Sequence, residues 1–422
     1  MIFHLRSTHL SPLSSAVAIA FVGVFAAPAA RAEKLLVPKA FPTIQEAVTA
    51  AAVGDEIVIS SGIYNEDVLA EAKQGITIRA AGNVRVRGSA SSDGALFLKN
   101  CVDVTVKGIR FEQTPSTAVR IEGGSGIRVE VCKLINPGGD GIAVVGSSDA
   151  VLKSCFIDGA ANDGIEIHQS PNALVTSCRI EDSGVHGVRH EGSTGLLLEK
   201  SKIVRAALDG VSLSAQSSTT SVQCAVRQCA IQDCGRDGIA LRGTNNTIEK
   251  NVILKAGDDG IEFDSSFNST GNSLLKNTVV KSALQSISIH GTANTAAENK
   301  VLQSSDDGII VSGAGQHVLS KNVVANPRFH GIRVISTTTA CTLTSNVCTS
   351  AGTNGFFIQG DSTTLTANKA FGADQNGFAV TSTLNIVSSN SASGSGVFDL
   401  NDTSGGGNIY TSNKFKTSNI PL

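Results

Sequence analysis

Apolar residues return at every second position in short runs along this chain, and the runs themselves return on a fixed period. The most legible run is an Asp, His or Asn, then Gly, a branched apolar residue, a free position and another apolar residue. It reads Asp140-Gly141-Ile142-Ala143-Val144, Asp163-Gly164-Ile165-Glu166-Ile167 and His186-Gly187-Val188-Arg189-His190, and it is still legible at Asn376-Gly377-Phe378-Ala379-Val380. Ala118, Gly141, Gly164, Gly187 and Gly210 lie 23 residues apart, and Gly238, Gly260, Ser286, Gly308, Gly331, Gly355 and Gly377 continue at 22 to 28. Alternation at period two is the strand signal, and a repeat of this length means a solenoid. Each repeat holds three short strands. In the repeat beginning at Asp163 they run roughly from Ile165 to Ile167, Leu174 to Thr176 and Arg179 to Ile180, separated by Ser170-Pro171-Asn172 and Asp182-Ser183-Gly184. Three strands per coil of 22–23 residues, stacked in parallel, predict an all-β chain folded as a single right-handed parallel β-helix.

A second column supports this register. Fourteen residues after Gly141 and Gly164 come Cys155 and Cys178, and the same place later holds Ser201, Cys229, Asn251, Asn277, Asn299, Asn322, Asn346, Asn368 and Asn390. Stacked at the interstrand spacing of about 4.8 Å, Asn amides both donate to and accept from their neighbours at a turn facing the interior. Cys132, Cys155, Cys178 and Cys229 read as buried substitutes for Asn. The total of nine cysteines is odd, so complete disulfide pairing is impossible, and no Cys-x-x-Cys pair points to a metal.

An open stack needs covers at both ends. Thr43-Ile44-Gln45-Glu46 is a capping-box pattern leading into Ala47-Val48, which predicts a short capping helix ending near Gly54. Ile409-Tyr410 and Asn413-Lys414-Phe415 are expected at the other end. Ahead of the cap, Arg6, an apolar run from Ala16 to Ala27, and Ala30-Arg31-Ala32 match a secretory leader. Residues 1–32 are therefore expected to be a signal peptide and 33–422 the β-helix, with cap regions at 33–60 and 400–422. An uncleaved anchor is the rival reading, opposed by the cleavage pattern. Export to a periplasmic or extracellular space of a bacterium, as a monomer without a membrane span, is the expectation.

Charge narrows the partners. The whole chain has a net charge of -2, and removing Arg6 and Arg31 leaves 32 basic residues against 36 acidic ones, or -4. That field does not suit nucleic acid, which calls for a strong basic surface. A polyanionic sugar remains compatible through local Arg placement. Trp is absent and Tyr64 and Tyr410 are the only tyrosines, so stacking platforms for sugars are few.

Phe41-Pro42-Thr43-Ile44-Gln45-Glu46-Ala47-Val48, Gly54-Asp55-Glu56-Ile57-Val58-Ile59 and Gly62-Ile63-Tyr64-Asn65-Glu66 resemble the opening of bacterial exported proteins of the pectin-lyase-like superfamily. With the Asn ladder, the resemblance covers nearly the whole chain after the leader. It is specific for the fold and not for an activity, since members include pectate lyases, polygalacturonases, pectin methylesterases, alginate lyases and epimerases, a periplasmic copper-enzyme maturation factor, and noncatalytic adhesins. The resemblance implies that the ladder precedes the third strand and that the Asp-Gly-Ile phrase opens the first strand of the next coil, on the sheet that carries the cleft in the family's enzymes. Asp306-Asp307-Gly308 and His330-Gly331 resemble polygalacturonase phrases, yet Phe329 replaces a Gly, Gln285-Ser286 stands where an Asn-Thr-Asp-Gly phrase belongs, and no Arg-Ile-Lys follows His330. The Gly-x-x-Asp-Phe phrase of pectin methylesterases and the Asp-Pro-His phrase of alginate epimerases are absent.

On the first strand, residues two and four after the Gly point outward. Outward charge then gathers in two groups: Glu166, His168, Arg189 and Glu191, and Arg242, Glu262, Asp264 and His290, with Arg333 further along. Longer repeats place extra loop at Ser214 to Thr220 and Ser265 to Gly271, beside the second group. Arg242, Asp264, His290 and Glu262 are thus the candidate catalytic residues: Asp264 orients His290 as proton acceptor, Arg242 neutralises a substrate carboxylate, and Glu262 serves as acid or ion ligand. Arg333, Glu166, His168 and Arg189 are candidate substrate-binding residues. No metal site can be named, and calcium is the one cofactor left open. The plain alternative is a solvated cross-strand charge ladder worth a few tenths of a kcal/mol per pair. His190 points inward and reads as a core histidine. Each Asp-Gly reads as turn chemistry, with Gly accepting positive φ. Two functions follow: a protein that binds, and cleaves or epimerises, an acidic polysaccharide, or a noncatalytic adhesin, envelope or scaffold protein.

Overall fold

Period-two alternation resolves into three strands per coil in the computed structural model, which describes residues 32–89, 94–214, 221–264 and 269–421. In the coil of Asp163 the strands are Ile165–His168, Leu174–Thr176 and Arg179–Glu181. Each pairs in parallel with its counterpart one coil on, so that Ile142, Ile165, Val188 and Val211 stand in one column. First strands make a sheet of fifteen among the described residues. Second and third strands make two further faces, joined where the long strand Thr77–Arg87 pairs with both Thr105–Lys107 and Arg110–Glu112. The single core runs inside these faces: Ile165, Ile167, Val175 and Ile180 are completely buried, each contributing roughly 1.5–3 kcal/mol of hydrophobic stabilisation.

The expected Asn ladder is present. Asn277 Oδ1 accepts the N–H of Asn251 at 3.0 Å and its side-chain amide at 3.1 Å, while Asn277 Nδ2 donates to Ile248 O at 2.8 Å. The same set recurs through Asn299, Asn322, Asn346, Asn368 and Asn390 to Asn413. Thiols imitate half of it: Cys155 Sγ donates to Val129 O at 3.4 Å and Cys178 Sγ to Leu152 O at 3.5 Å. All nine cysteines are free and buried. Burial pushes Cys224, Cys229 and Cys341 up to about 11, which cuts the thiolate fraction at neutral pH by about two orders of magnitude. A thiol-reactive probe is therefore expected to label no cysteine of the native chain and nine after denaturation. Rapid native labelling of any of them would contradict the ladder reading.

A second ladder stands at the corner after the first strand. Asn272 Oδ1 accepts the N–H of Asn246 (2.8 Å), and Asn294 Oδ1 accepts that of Asn272 (2.8 Å). His317 continues it by accepting the N–H of Asn294 at Nδ1 (3.3 Å).

The Asp-Gly phrase is not the tight turn expected. Gly164 and Gly238 are absent from the positive-φ positions; their requirement is space. A Cβ on Gly164 would lie 2.3 Å from Ile180 Cγ2, and one on Gly238 would lie 2.5 Å from Gly260 O. The preceding Asp is buried and makes the third ladder: Asp163 Oδ1 accepts the N–H of His186 at 2.9 Å, and Asp237 Oδ1 that of Asp259 at 2.9 Å. Positive φ belongs instead to the residue before each Asn rung, such as Lys250 (55°) and Lys276 (57°).

The capping helix spans Ile44–Ala50, with the Thr43 side chain accepting from Glu46 N–H. Glu66 adds a second cap by accepting the N–H groups of Ile44 and Gln45 at 3.0 and 2.9 Å. At the far end Phe415 packs on Phe378, ring centroids 5.3 Å apart. Residues 1–31 of the expected leader, 215–220 of one expected loop and 265–268 of the other lie outside the described residues. Among the described residues no helix is long and apolar enough to cross a membrane.

Candidate functional site

Register decides where the first-strand sheet is indented. The outward column two after the Gly runs Glu166, Arg189, Ser212, Ala240, Glu262, Ser288. Two small side chains, Ser212 and Ala240, sit between the long Arg189 and Glu262, and the dent they leave is the floor of a cavity of about 160 Å³. Arg242, Glu262 and Asp264 line it on one side, His186, Asp209 and Arg236 on the corner side. His290 is not part of this lining.

Arg242 and Asp264 are neighbours, as register predicts: Arg242 Nε donates to Asp264 Oδ2 at 2.5 Å, and Nη2 reaches the same oxygen. Asp264 thereby directs its carboxylate to Arg242, and His290 Nδ1 lies 2.9 Å from Ser312 Oγ. Glu262 is held well above the usual carboxylate range by burial, and then by the charge of Asp237. Burial also pushes His186 down to about 4, helped by Arg189 and Arg236, so this ring is neutral at neutral pH. Its Nδ1 lies 3.3 Å from both the backbone N and the Oδ2 of Asp209.

The other sequence-derived group is also brought together. Arg189 pairs with Glu191, with Glu166 at 3.4 Å and with Asp163 at 3.7 Å, while His168 Nδ1 is 3.8 Å from Glu191. Arg333 stands apart from both groups, donating to Gln359 at 3.1 Å, 3.6 Å from Asp307 and over the Phe357 ring. His190 is fully buried, with Nε2 2.9 Å from Ser193 Oγ and Nδ1 3.8 Å from Cys224 Sγ, a satisfied core histidine as expected. Sequence reasoning passed over His186, Asp209 and Arg236, because they belong to the corner column that Asp-Gly chemistry had assigned to turns. Their signal was the interruption of the Asp column by His186 and, two coils on, a nonrecurring Arg236.

The cleft carboxylates do not converge on an ion. Among the described residues, three ligand atoms come within 4.8 Å of one another only at Asp158, Glu181 and Asp182, on another corner, where Arg205 already pairs with Asp182 at 2.6 Å. The cleft side chains therefore do not by themselves form a calcium cage.

The buried Asp column sets a pH dependence. Burial first, then Asp237, Glu262 and Asp258, raise Asp259 to about 8, and burial raises Asp163 and Asp307 to about 6. A carboxyl that binds its proton more tightly folded than unfolded contributes stability that is fully present below the unfolded carboxylate range and lost as pH rises through the folded value. Each group in that window costs about 1.4 kcal/mol per pH unit. Urea unfolding is thus expected to show stability falling from pH 5 to pH 8, with Asp259→Asn flattening the part above pH 6. An unchanged slope in that variant would remove Asp259 from the account.

A right-handed β-helix region matches residues 94–230, 221–301 and 285–420. The chain belongs to this right-handed β-helix family. Among solved structures, this β-helix is similar to the A-module of mannuronan C-5 epimerase AlgE6 of Azotobacter vinelandii, at 13% identity over 90% of this chain and 95% of that one, TM-score 0.54. It is also similar to a DFA-IIIase of Arthrobacter chlorophenolicus A6, solved in complex with GF2, at 12% identity over 69% of this chain and 94% of that one, TM-score 0.50. Likeness at such identity establishes the β-helix and not an activity. No curated protein sequence matches the chain.

Proposed function

We propose that this β-helix is an exported protein that binds an acidic polysaccharide across its first-strand sheet and cleaves or epimerises it in the Ser212–Ala240 cleft. The observation that carries this reading is the cleft itself, where Glu262, whose carboxyl burial raises to about 7 so that a large fraction keeps its proton at neutral pH, shares the lining with two guanidinium groups, Arg236 and Arg242. In this assignment the guanidiniums neutralise a uronate carboxylate, and Glu262 gives its proton to the departing glycosidic oxygen. His290 is the candidate acceptor of the sugar proton at the edge of the cleft. Glu166, His168, Arg189 and Arg333 extend the binding surface along the sheet. The mannuronan C-5 epimerase with matching architecture is a precedent for polysaccharide chemistry on this scaffold.

A noncatalytic adhesin or scaffold is the second reading, favoured by the self-pairing of Arg189 with Glu166 and Glu191. Incubation with pectate, alginate, other uronates and neutral glucans, with and without calcium, separates the two. Unsaturated products, new reducing ends or C5 inversion on a uronate are expected. Silence across the panel with no binding on a glycan array selects the noncatalytic protein.

A further inference from the structure

Directly behind the cleft, Asp237 occupies the corner column and is 1% exposed. Its backbone N–H donates to Asp209 Oδ1 at 3.3 Å, and its own Oδ1 accepts the N–H of Asp259 at 2.9 Å. Its Oδ2 is buried without a donor: Arg236 Nη2 is 3.7 Å away, beyond hydrogen-bond reach. A buried carboxylate oxygen left in that state is costly, and in a rigid stack it calls for a proton. Glu262, one coil on, has its carboxyl within hydrogen-bond reach of the Asp237 carboxyl. Two carboxylates within hydrogen-bond reach cannot both be ionised at low cost, and one proton between them gives the buried Asp237 carboxyl the donor it otherwise lacks.

We propose that Asp237 and Glu262 hold one proton between them, with Asp237 as the positioning residue that keeps Glu262 ready as the proton donor of the cleft. The donor role rests on the function proposed above; the shared proton does not. The charged groups around the pair act in both directions. Asp209 on the preceding coil, Asp258 and Asp259 at the next corner, and Asp264 on the outer face oppose a second negative charge, while Arg236 and Arg242 favour it. Burial is the largest influence on both carboxyls and favours the single-proton state. On donation in a cleaving (elimination) reaction, His290 takes the sugar C5 proton, the C5–H electron pair forms the new C=C bond, the glycosidic C–O bond breaks, and the O–H bond at Glu262 breaks as an O–H bond forms at the leaving oxygen. The pair is left doubly ionised, and water returns the proton once product departs.

The test is a carbon-13 NMR titration of protein labelled at its Asp and Glu carboxyls, with the Glu262 signal assigned by its disappearance in Glu262→Gln. In Asp237→Asn the Glu262 midpoint is expected to fall by at least about one pH unit, a tenfold loss of proton affinity. In Asp258→Asn, which removes a nearby charge but no hydrogen bond to Glu262, the fall is expected to be clearly smaller. An unmoved midpoint in Asp237→Asn, or equal falls in the two variants, overturns the shared proton. If Asp237→Asn does not fold, Glu262→Gln reads the pair from the other side, since a permanent amide donor should bring the Asp237 titration down, and an unmoved Asp237 overturns the proposal. A shared proton in a protein silent on every polysaccharide leaves this inference standing and removes the function. Activity lost in Glu262→Gln without a shared-proton titration does the reverse.

Discussion

Replacing Asn299 with Ala is expected to cost the fold about 2–5 kcal/mol, because a buried group stripped of its partner loses roughly 1–3 kcal/mol and the substitution strips more than one. Asn299 Oδ1 accepts both the backbone N–H of Asn277 (2.9 Å) and its side-chain amide (3.0 Å), while Asn299 Nδ2 donates to Leu274 O (2.9 Å) and Asn322 Oδ1 (3.0 Å). Ala supplies none of these four bonds. Asn277 N–H is then left unpaired in an interior where Asn277 and Asn299 are 0% and 1% exposed. Asn299→Cys is expected to cost less, since the chain already seats thiols on this ladder with a sulfur donating to the equivalent carbonyl. Equilibrium unfolding in urea gives the free energies, and hydrogen exchange at Asn277 gives the local effect. A loss below about 0.5 kcal/mol for the Ala variant would show that water replaces the rung and that the ladder is decorative.

The second large effect is on chemistry. Glu262→Gln keeps the size of the side chain and its packing beside Ala240 but removes the proton that can be transferred, so turnover on the active uronate is expected to fall by about 10²- to 10⁴-fold, the range for loss of a general acid. Binding of the same polymer is expected to persist, because the Gln amide leaves Arg236 and Arg242 in place to meet substrate carboxylates. His290→Ala beside it apportions the base: a comparable loss assigns the acceptor role to His290, whereas retained turnover moves that role to the corner side of the cleft, where His186 is neutral. Turnover unchanged in Glu262→Gln sinks the cleft as the reacting centre.

Fold and site were legible to different depths for physical reasons. One rung type repeated from Asn251 to Asn390 is visible as a column because stacking selects the same amide each time. The second ladder passes through Asn246, Asn272, Asn294 and His317 and is harder to see, since the loop ahead of it varies in length and a ring nitrogen takes the place of an amide oxygen. Arg242 beside Asp264 followed from strand register alone. The cleft did not, because it is made by what Ser212 and Ala240 lack, and a search for charged residues passes over small ones. Asp237 was hidden for another cause: Asp-Gly has the same spelling in an exposed turn and in a buried corner. Burial separates the two, and burial belongs to the assembled stack.

In the three ladders each rung bonds the same position on the neighbouring coil, and its other bonds repeat with the coil, so a whole coil of 22 or 23 residues can be lost or gained with each remaining corner still finding a donor and an acceptor. Deleting or duplicating such a unit moves the Ser212–Ala240 cleft along the axis by about 4.8 Å without redesigning it. Distance from either cap to the cleft is therefore a quantity that heredity can adjust in equal increments, like a ruler graduated in coils, while the chemistry carried at the mark stays the same.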